Sequence, residues 1–338
     1  FRIFEMTVHI FNPETDFALA LGRRIYSPPS QIVSFRKSMA LFPACYASNR
    51  DAILIIDHID DKQLRESPYF EIAVSKSISI IRLNQIAGFV SRFKSEAGNL
   101  KFRPWGWNHS ILKTLLTAGV GQHLLKTEDQ IDKIRELSHR RTTIPFQSIL
   151  SQNLDDINVI PAKEFYATKD ATDFFESNPG AFFKAPWSSS GRGVINTAGM
   201  SPNAITAWIN GCIRRQGSVI GEIGRRRTCD FATEWYCKNG VATFLGLSLF
   251  KTSPEGRYKG NIIGSQAFLW QSISRHTNHW RQNVIDAQKI AIDSIISPSY
   301  DGPVGIDMFS TVEGDINPCV EINLRMTMGL ATLLDNHK

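Results

Sequence analysis

The sequence predicts an α/β leading domain followed by two α+β subdomains, and three observations carry that reading. Ala52–Ile56 is a continuous apolar run of strand length between Asp51 and Asp57, the pattern of a parallel strand covered on both faces. Thr127-Glu128-Asp129-Gln130 is a capping box followed by Ile131, Ile134 and Leu137 at helical spacing, which marks a domain boundary. Phe231 to Cys237 alternates, Asn239-Gly240 supplies a type I′ turn, and Val241 to Phe250 returns, making an antiparallel hairpin. The expected domains are 1–126, 127–216 and 217–338.

The remaining elements follow in order along the chain. Thr7 to Phe11 reads as a strand that ends in the turn Asn12-Pro13. A helix starts near Asn108, with Ile111, Leu112, Leu115 and Leu116 on one face, and stops at Gly119. Asp170 opens a short helix that ends at Asn178-Pro179-Gly180, and Ala181 to Ala185 is the strand after it. Ser201-Pro202 starts a helix with Pro in its first turn, and Gly217 ends it. Trp280 to Ile296 is a long amphipathic helix with Val284, Ala287, Ala291 and Ile295 on one side. Val304 to Phe309 and Cys319 to Ile322 pair around the turn Glu313-Gly314-Asp315.

Composition narrows the function classes. With 338 residues, 42% apolar and 21% charged, the chain can bury a core large enough to offset its ordering entropy, which excludes a disordered protein. Its 23 Gly and 15 Pro exclude collagen-like and low-complexity chains. A net charge of +6 permits an anionic ligand, but aromatics are not interleaved in the arginine runs, so no nucleic-acid partner is expected. The five cysteines, Cys45, Cys212, Cys229, Cys237 and Cys319, form no CxxC pair, which argues for reduced thiols over zinc or disulfides. No apolar run reaches the ~18 residues of a membrane span. The opening FRIFEMTVHIF lacks the features of a signal peptide, so a cytoplasmic protein with no membrane partner is expected.

Two constellations carry chemistry. In Phe183-Lys184-Ala185-Pro186-Trp187-Ser188-Ser189-Ser190-Gly191-Arg192-Gly193, a lysine ends a strand beside small residues whose backbone N–H groups and hydroxyls suit phosphate oxygens. GxxxxGK[ST] is absent, and the alternative is a flexible surface loop. In the second, Gly305-Ile306-Asp307-Met308 stands with Glu321-Ile322-Asn323-Leu324-Arg325. Glu321 and Asn323, two apart, share a strand face, and Asp307 on the neighbouring strand can join them. Two carboxylates and an amide oxygen are hard ligands suited to Mg²⁺, and Arg325 offers a fork for phosphate or carboxylate. The alternative is the solvated face of an edge hairpin. Arg225-Arg226-Arg227 is either a solvated turn or a guide for an anionic substrate. Trp105 and Trp107 are either a packing plug between domains or a substrate platform.

In their order these pieces resemble the ATP-grasp superfamily over residues 127–338, and the whole chain looks like bacterial ATP-grasp domain proteins. The resemblance implies two α+β subdomains of an ATP-grasp fold with ATP between them and Mg²⁺ on its phosphates. Lys184 resembles the lysine that contacts those phosphates. Ser188, Ser189, Ser190, Gly191 and Gly193 resemble the loop that closes over them. Glu222 stands where the family has a glutamate beside the adenine or ribose. Asp307, Glu321 and Asn323 resemble the metal ligands, and Arg325 the arginine near the transferred phosphate. The second lysine of the family is missing, and Arg141 stands in its region. The implied activity is an ATP- and magnesium-dependent ligase that activates a small-molecule carboxylate as an acyl phosphate for attack by an amine or other nucleophile. In it Lys184 and Arg325 neutralise phosphoryl charge. The alternative is a non-catalytic ATP-binding regulatory protein; the complete set Asp307, Glu321 and Asn323 favours catalysis. In this family the γ-phosphate points towards the leading domain. This implies an acceptor near Asn12 and Asp16, with Asp16 holding an amine and Asn12 a carboxylate or amide. The alternative there is a loop that caps a helix starting near Phe17, with Asp16 accepting backbone N–H groups.

Overall fold

The computed structural model describes residues 5–22, 25–95, 99–188, 193–253 and 258–336. The chain divides into two compact units, Phe1–Ile134 with Leu334–Lys338, and Arg135–Leu333.

The first unit is built on the strands β1 (Glu5–Ile10), β2 (Ala52–Ile55), β3 (Ser79–Arg82) and β4 (Asn99–Pro104). They form a parallel sheet in the order β3-β2-β1-β4. All four residues of β2 are buried, and alternation explains why. Ala52 and Leu54 join Val8, Ile10, Ile86 and Leu115 in one core. Ile53 and Ile55 join Leu41, Ala44 and Ala73 in another. A strand with a core on each face must be apolar throughout, so this run shows no polar alternation.

Local signals set the ends of its helices. In His109–Thr117, the Asn108 side chain accepts from Ile111 N–H at 3.0 Å, and Gly119 beyond its end has φ +88°. The expected capping box forms: Thr127 Oγ1 accepts from Gln130 N–H and the Gln130 side chain accepts from Thr127 N–H. Two expectations change. Trp105 is buried against Phe11 and Phe42, with centroids 5.2 and 6.0 Å away, so it packs inside the first unit. The first helix runs Thr15–Ala20, two residues earlier than expected, and Glu14 rather than Asp16 stands at its N-cap without a side-chain capping bond.

The second unit holds two antiparallel sheets. The smaller comprises β5 (Lys163–Phe165), β6 (Phe182–Lys184), β7 (Val194–Asn196) and β8 (Val219–Glu222), in the order β5-β8-β6-β7. Phe183 and Val219 from this sheet pack with Ile205, Ile209 and Cys212 of the helix Pro202–Gln216. Ser201 Oγ caps that helix at Ala204 N–H, and Gly217 ends it at φ +87°. The larger sheet comprises β9 (Arg227–Lys238), β10 (Val241–Thr252), β11 (Tyr258–Ile262), β12 (Gly302–Thr311) and β13 (Ile316–Asn323). Its order is β11-β10-β9-β12-β13, antiparallel throughout. Asn239 and Gly240 both have positive φ, +52° and +79°, as a type I′ turn requires.

The helix Gln282–Ile295 packs on β10, and its buried Gln288 donates to Pro318 O at 2.8 Å and accepts from Thr233 Oγ1 at 2.8 Å. It starts two residues later than expected because Arg281 is extended, at φ −143° and ψ 170°. Trp280 is instead buried against the Phe231 ring. Two further helices, Thr143–Asn153 and Gln266–Ser274, carried no sequence expectation. All five cysteines are free. Among the described residues, no helix is long and apolar enough to cross a membrane.

Candidate functional site

A cleft of about 1280 Å³ opens in the second unit and is lined from both of its sheets. On the smaller sheet, Lys184 ends β6 and Glu222 ends β8. The strands are neighbours, so these side chains meet: Lys184 Nζ donates to Glu222 Oε1 at 2.6 Å and to Val320 O at 3.3 Å. Lys184 is buried, which pushes its ammonium below the ordinary lysine range, while the Glu222 carboxylate pulls it back up. The phosphate loop expected after β6 is described only at its ends, Ser188 and Gly193; Ser189, Ser190 and Gly191 lie outside the described residues. Gly193 has φ +74°, and a Cβ there would lie 2.8 Å from the Ser188 Cβ, so only glycine fits the turn.

On the larger sheet, pairing of β12 with β13 sets Asp307 directly opposite Glu321 and Gly305 opposite Asn323. Asn323 Nδ2 donates to Asp307 Oδ2 at 3.3 Å, and Arg325 donates to Asn323 Oδ1 at 2.8 Å. The structure thus brings Asp307, Glu321, Asn323 and Arg325 together. Burial, and then the Glu321 carboxylate, push the Asp307 carboxyl up to about 7. Among the described residues no group of three or more His, Cys, Asp or Glu forms a metal cage, so any metal here relies on two carboxylates and the Asn323 amide.

Sequence reasoning missed two cleft residues. The first is Arg140. Its guanidinium donates to Ala185 O and Ser188 Oγ, both at 2.6 Å, and to Glu321 Oε1 at 2.6 Å, tying the two sheets together. Arg141, singled out from the sequence, turns away to Glu164 at 2.9 Å and to the His139 ring. Burial, and then Arg141, push the His139 imidazole down to about 4. The Arg-Arg dipeptide was the only signal, and it does not say which arginine turns inward. The second is Glu234 on β9, fully buried, accepting from Ser248 Oγ at 2.8 Å and Thr327 Oγ1 at 2.9 Å. Burial pushes its carboxyl up to about 8. Gly305 and Gly329 make room for it: a Cβ on Gly329 would lie 2.2 Å from Glu234 Oε1. A glutamate between threonine and tryptophan in an alternating strand was the available signal.

The arginine run is not a solvated turn throughout. Arg225 is half-buried and pairs with Asp315, and Arg226 pairs with Glu313 at 3.5 Å. Arg227 pairs with Asp230 at 3.3 Å and stacks 4.4 Å over the Phe309 ring. All three line the cleft. Asn12 and Asp16 belong to the first unit. Asn12 is buried, donates to Gly106 O at 2.7 Å and accepts from Gly106 N–H, tying the loops after β1 and β4 together. Asp16 lies in the first turn of its helix.

No protein-family model matches the sequence, and no curated protein matches it. Solved structures do share its fold. Biotin carboxylase from Campylobacter jejuni, in a β,γ-ATP complex, is similar at a TM-score of 0.56 and 10% identity, over 97% of this chain and 67% of that one. The biotin carboxylase domain of 2-oxoglutarate carboxylase from Hydrogenobacter thermophilus, with MgADP, ADP and bicarbonate, is similar at 0.55 and 11% identity, over 99% and 70%. N5-carboxyaminoimidazole synthetase from Staphylococcus aureus, with ADP, is similar at 0.51 and 12% identity, over 96% and 72%.

Proposed function

We propose, from the premise that this chain has the ATP-grasp fold, that it is an ATP- and magnesium-dependent ligase acting on a small-molecule carboxylate. A carboxylate oxygen attacks the γ-phosphorus of ATP and ADP leaves, giving an acyl phosphate. An amine or other nucleophile then bonds to the carbonyl carbon, phosphate departs with the C–O electron pair, and the nucleophile gives its proton to solvent.

The observation that carries this reading is the facing of Asp307 and Glu321 across β12 and β13, with Asn323 and Arg325 beside them, in one cleft with the Lys184–Glu222 pair. Two like-charged carboxylates and an amide oxygen fit Mg²⁺, which takes a few hard oxygen ligands and neutralises phosphoryl charge when bound. Lys184 would hold the nucleotide phosphates with Ser188, Ser189, Ser190, Gly191 and Gly193, and Glu222 would stand on the ribose or adenine side. Arg140, which already reaches the Ser188 hydroxyl, takes the nucleotide role first given to Arg141. Arg325 would neutralise the oxygens of the transferring group. The protein contributes positioning and fixed charge and forms no covalent bond.

A second reading, a non-catalytic ATP-binding protein, is favoured by one observation: Arg140 engages Glu321 and Arg325 engages Asn323, which occupies two of the three ligand groups. Phosphate release with ATP and Mg²⁺, measured across a panel of small acids with and without amines, separates the two. A ligase releases phosphate only when an acid is present, and Glu321→Gln stops release while ATP still binds. A wild-type protein that binds ATP but releases no phosphate with any pair is the passive binder.

A further inference from the structure

We infer, resting on the ligase reading, that the cleft takes a substrate with an apolar body and an anionic anchor. Lys251, Arg275 and His276 meet the anion, and Tyr258, Ile262 and Phe268 meet the body.

All six residues line the same cleft. Five other cations of its lining are matched with carboxylates: Arg140 with Glu321, Lys184 with Glu222, Arg225 with Asp315, Arg226 with Glu313 and Arg227 with Asp230; a sixth, Arg325, donates to Asn323 Oδ1 and Met326 O within the metal-ligand set. Lys251 and Arg275 are exposed and have no carboxylate partner among the described residues. The four carboxylates of the lining are also taken. Asp230 accepts from Thr252 and Arg227, Glu234 from Ser248 and Thr327, Asp307 from Asn323, and Glu321 from Arg140. Among the described residues the charge of Lys251 and Arg275 has no carboxylate counterpart, and it favours an anion.

Strand position separates Lys251 from the metal residues. Lys251 is on β10, three strands from β13, which carries Glu321 and Asn323. Strands lie about 4.8 Å apart, so across the sheet the Lys251 backbone stands about 14 Å from β13 and about 10 Å from β12, which carries Asp307. That position is thus distinct from the reacting end of the substrate. The apolar contribution is independent of the charge. Tyr258 and Phe268 keep 40% and 44% of their surface exposed while lining a cleft, whereas large apolar side chains of the second unit such as Phe183 and Trp235 are fully buried. Exposed aromatic surface inside a concavity, with a few convergent polar groups, is how small-molecule sites are lined.

Phenylpropionate, its neutral isostere phenylpropionamide, and acetate serve as probes for calorimetric titration of the full chain with and without saturating MgADP. Phenylpropionate is expected to bind at millimolar concentration or better, with the amide and acetate each about tenfold weaker. Lys251→Ala and Arg275→Ala, both exposed sites, are expected to lower phenylpropionate affinity by about tenfold with an unchanged unfolding midpoint, and to leave amide affinity unchanged. Amide binding equal to acid binding, wild-type affinity in both variants, or no phenylpropionate binding by the wild type overturns the inference. Failure of the wild type to bind MgADP overturns the nucleotide reading instead; the probe titrations without nucleotide still decide this one.

Discussion

Glu234→Gln gives the sharpest test of how the cleft is built. The Glu234 carboxyl ordinarily titrates near 4.5, and burial pushes it up to about 8 in the folded protein. Between those values the folded chain keeps a proton that the unfolded chain releases, so stability falls as pH rises. Each pH unit in that window costs about 1.4 kcal/mol for one proton, which sets a ceiling of about 4 kcal/mol between pH 5 and 8. Glutamine cannot ionise and removes this dependence. Its amide oxygen still accepts one of the two hydroxyl bonds from Ser248 and Thr327, so the variant loses only about 1 kcal/mol at pH 5. Urea unfolding of both proteins at pH 5, 6, 7 and 8 reads the difference directly. Asp307, pushed up to about 7, titrates in both proteins, and its charge is one of the causes that raise Glu234, so the difference between the two proteins reads Glu234 together with that repulsion. The variant should be the less stable protein at pH 5 and the more stable one at pH 8. Parallel stability curves would refute the buried, protonated carboxyl.

Three further outcomes are expected. Arg140→Met leaves the Glu321 carboxylate without its cation and should destabilise by about 3 kcal/mol, somewhat less because Glu321 keeps 25% of its side chain exposed. Double-mutant unfolding with Glu321→Gln should show coupling, and simple additivity would contradict the pair. Gly329→Ala places a Cβ 2.2 Å from Glu234 Oε1 and 2.3 Å from Ser248 Oγ, and should cost about 1–3 kcal/mol in denaturant unfolding. A change within about 0.5 kcal/mol, the range of an innocuous surface substitution, would mean the site is looser than the structure shows.

Elements whose cause is local were legible in the sequence. The apolar run of β2, the Asn108 and Ser201 caps, the Thr127–Gln130 box and the Asn239-Gly240 turn all depend on residues within a few positions of one another, and the structure has them. Within the cleft, it was legible that Asp307 and Glu321 lie on the two strands of one hairpin; their direct pairing depends on a register shift between Asp307 and Phe309 that the turn does not dictate. What was not legible is set over long sequence separations. Arg140 and Glu321 are 181 residues apart, and no local pattern distinguishes the arginine that meets a distant carboxylate from its neighbour Arg141. The acids that pair with Arg225 and Arg226 come from the β12–β13 turn, so their charge reads as surplus until that turn is in place. Trp105 shows the same limit, since a tryptophan in a turn gives no sign of which core it fills.

Calorimetric titration with ATP, in Mg²⁺ and in EDTA, of the wild type and of Lys184→Ala and Asp307→Asn tests the central claim, that the cleft of the second unit holds a metal-bound nucleotide. The wild type is expected to bind ATP at least about tenfold more tightly with Mg²⁺ than with EDTA. Lys184→Ala should bind more weakly in both conditions because a phosphate contact is lost, whereas Asp307→Asn should lose the Mg²⁺ advantage and keep its affinity in EDTA. Wild-type binding by both variants, or equal wild-type affinity in Mg²⁺ and EDTA, would contradict that claim.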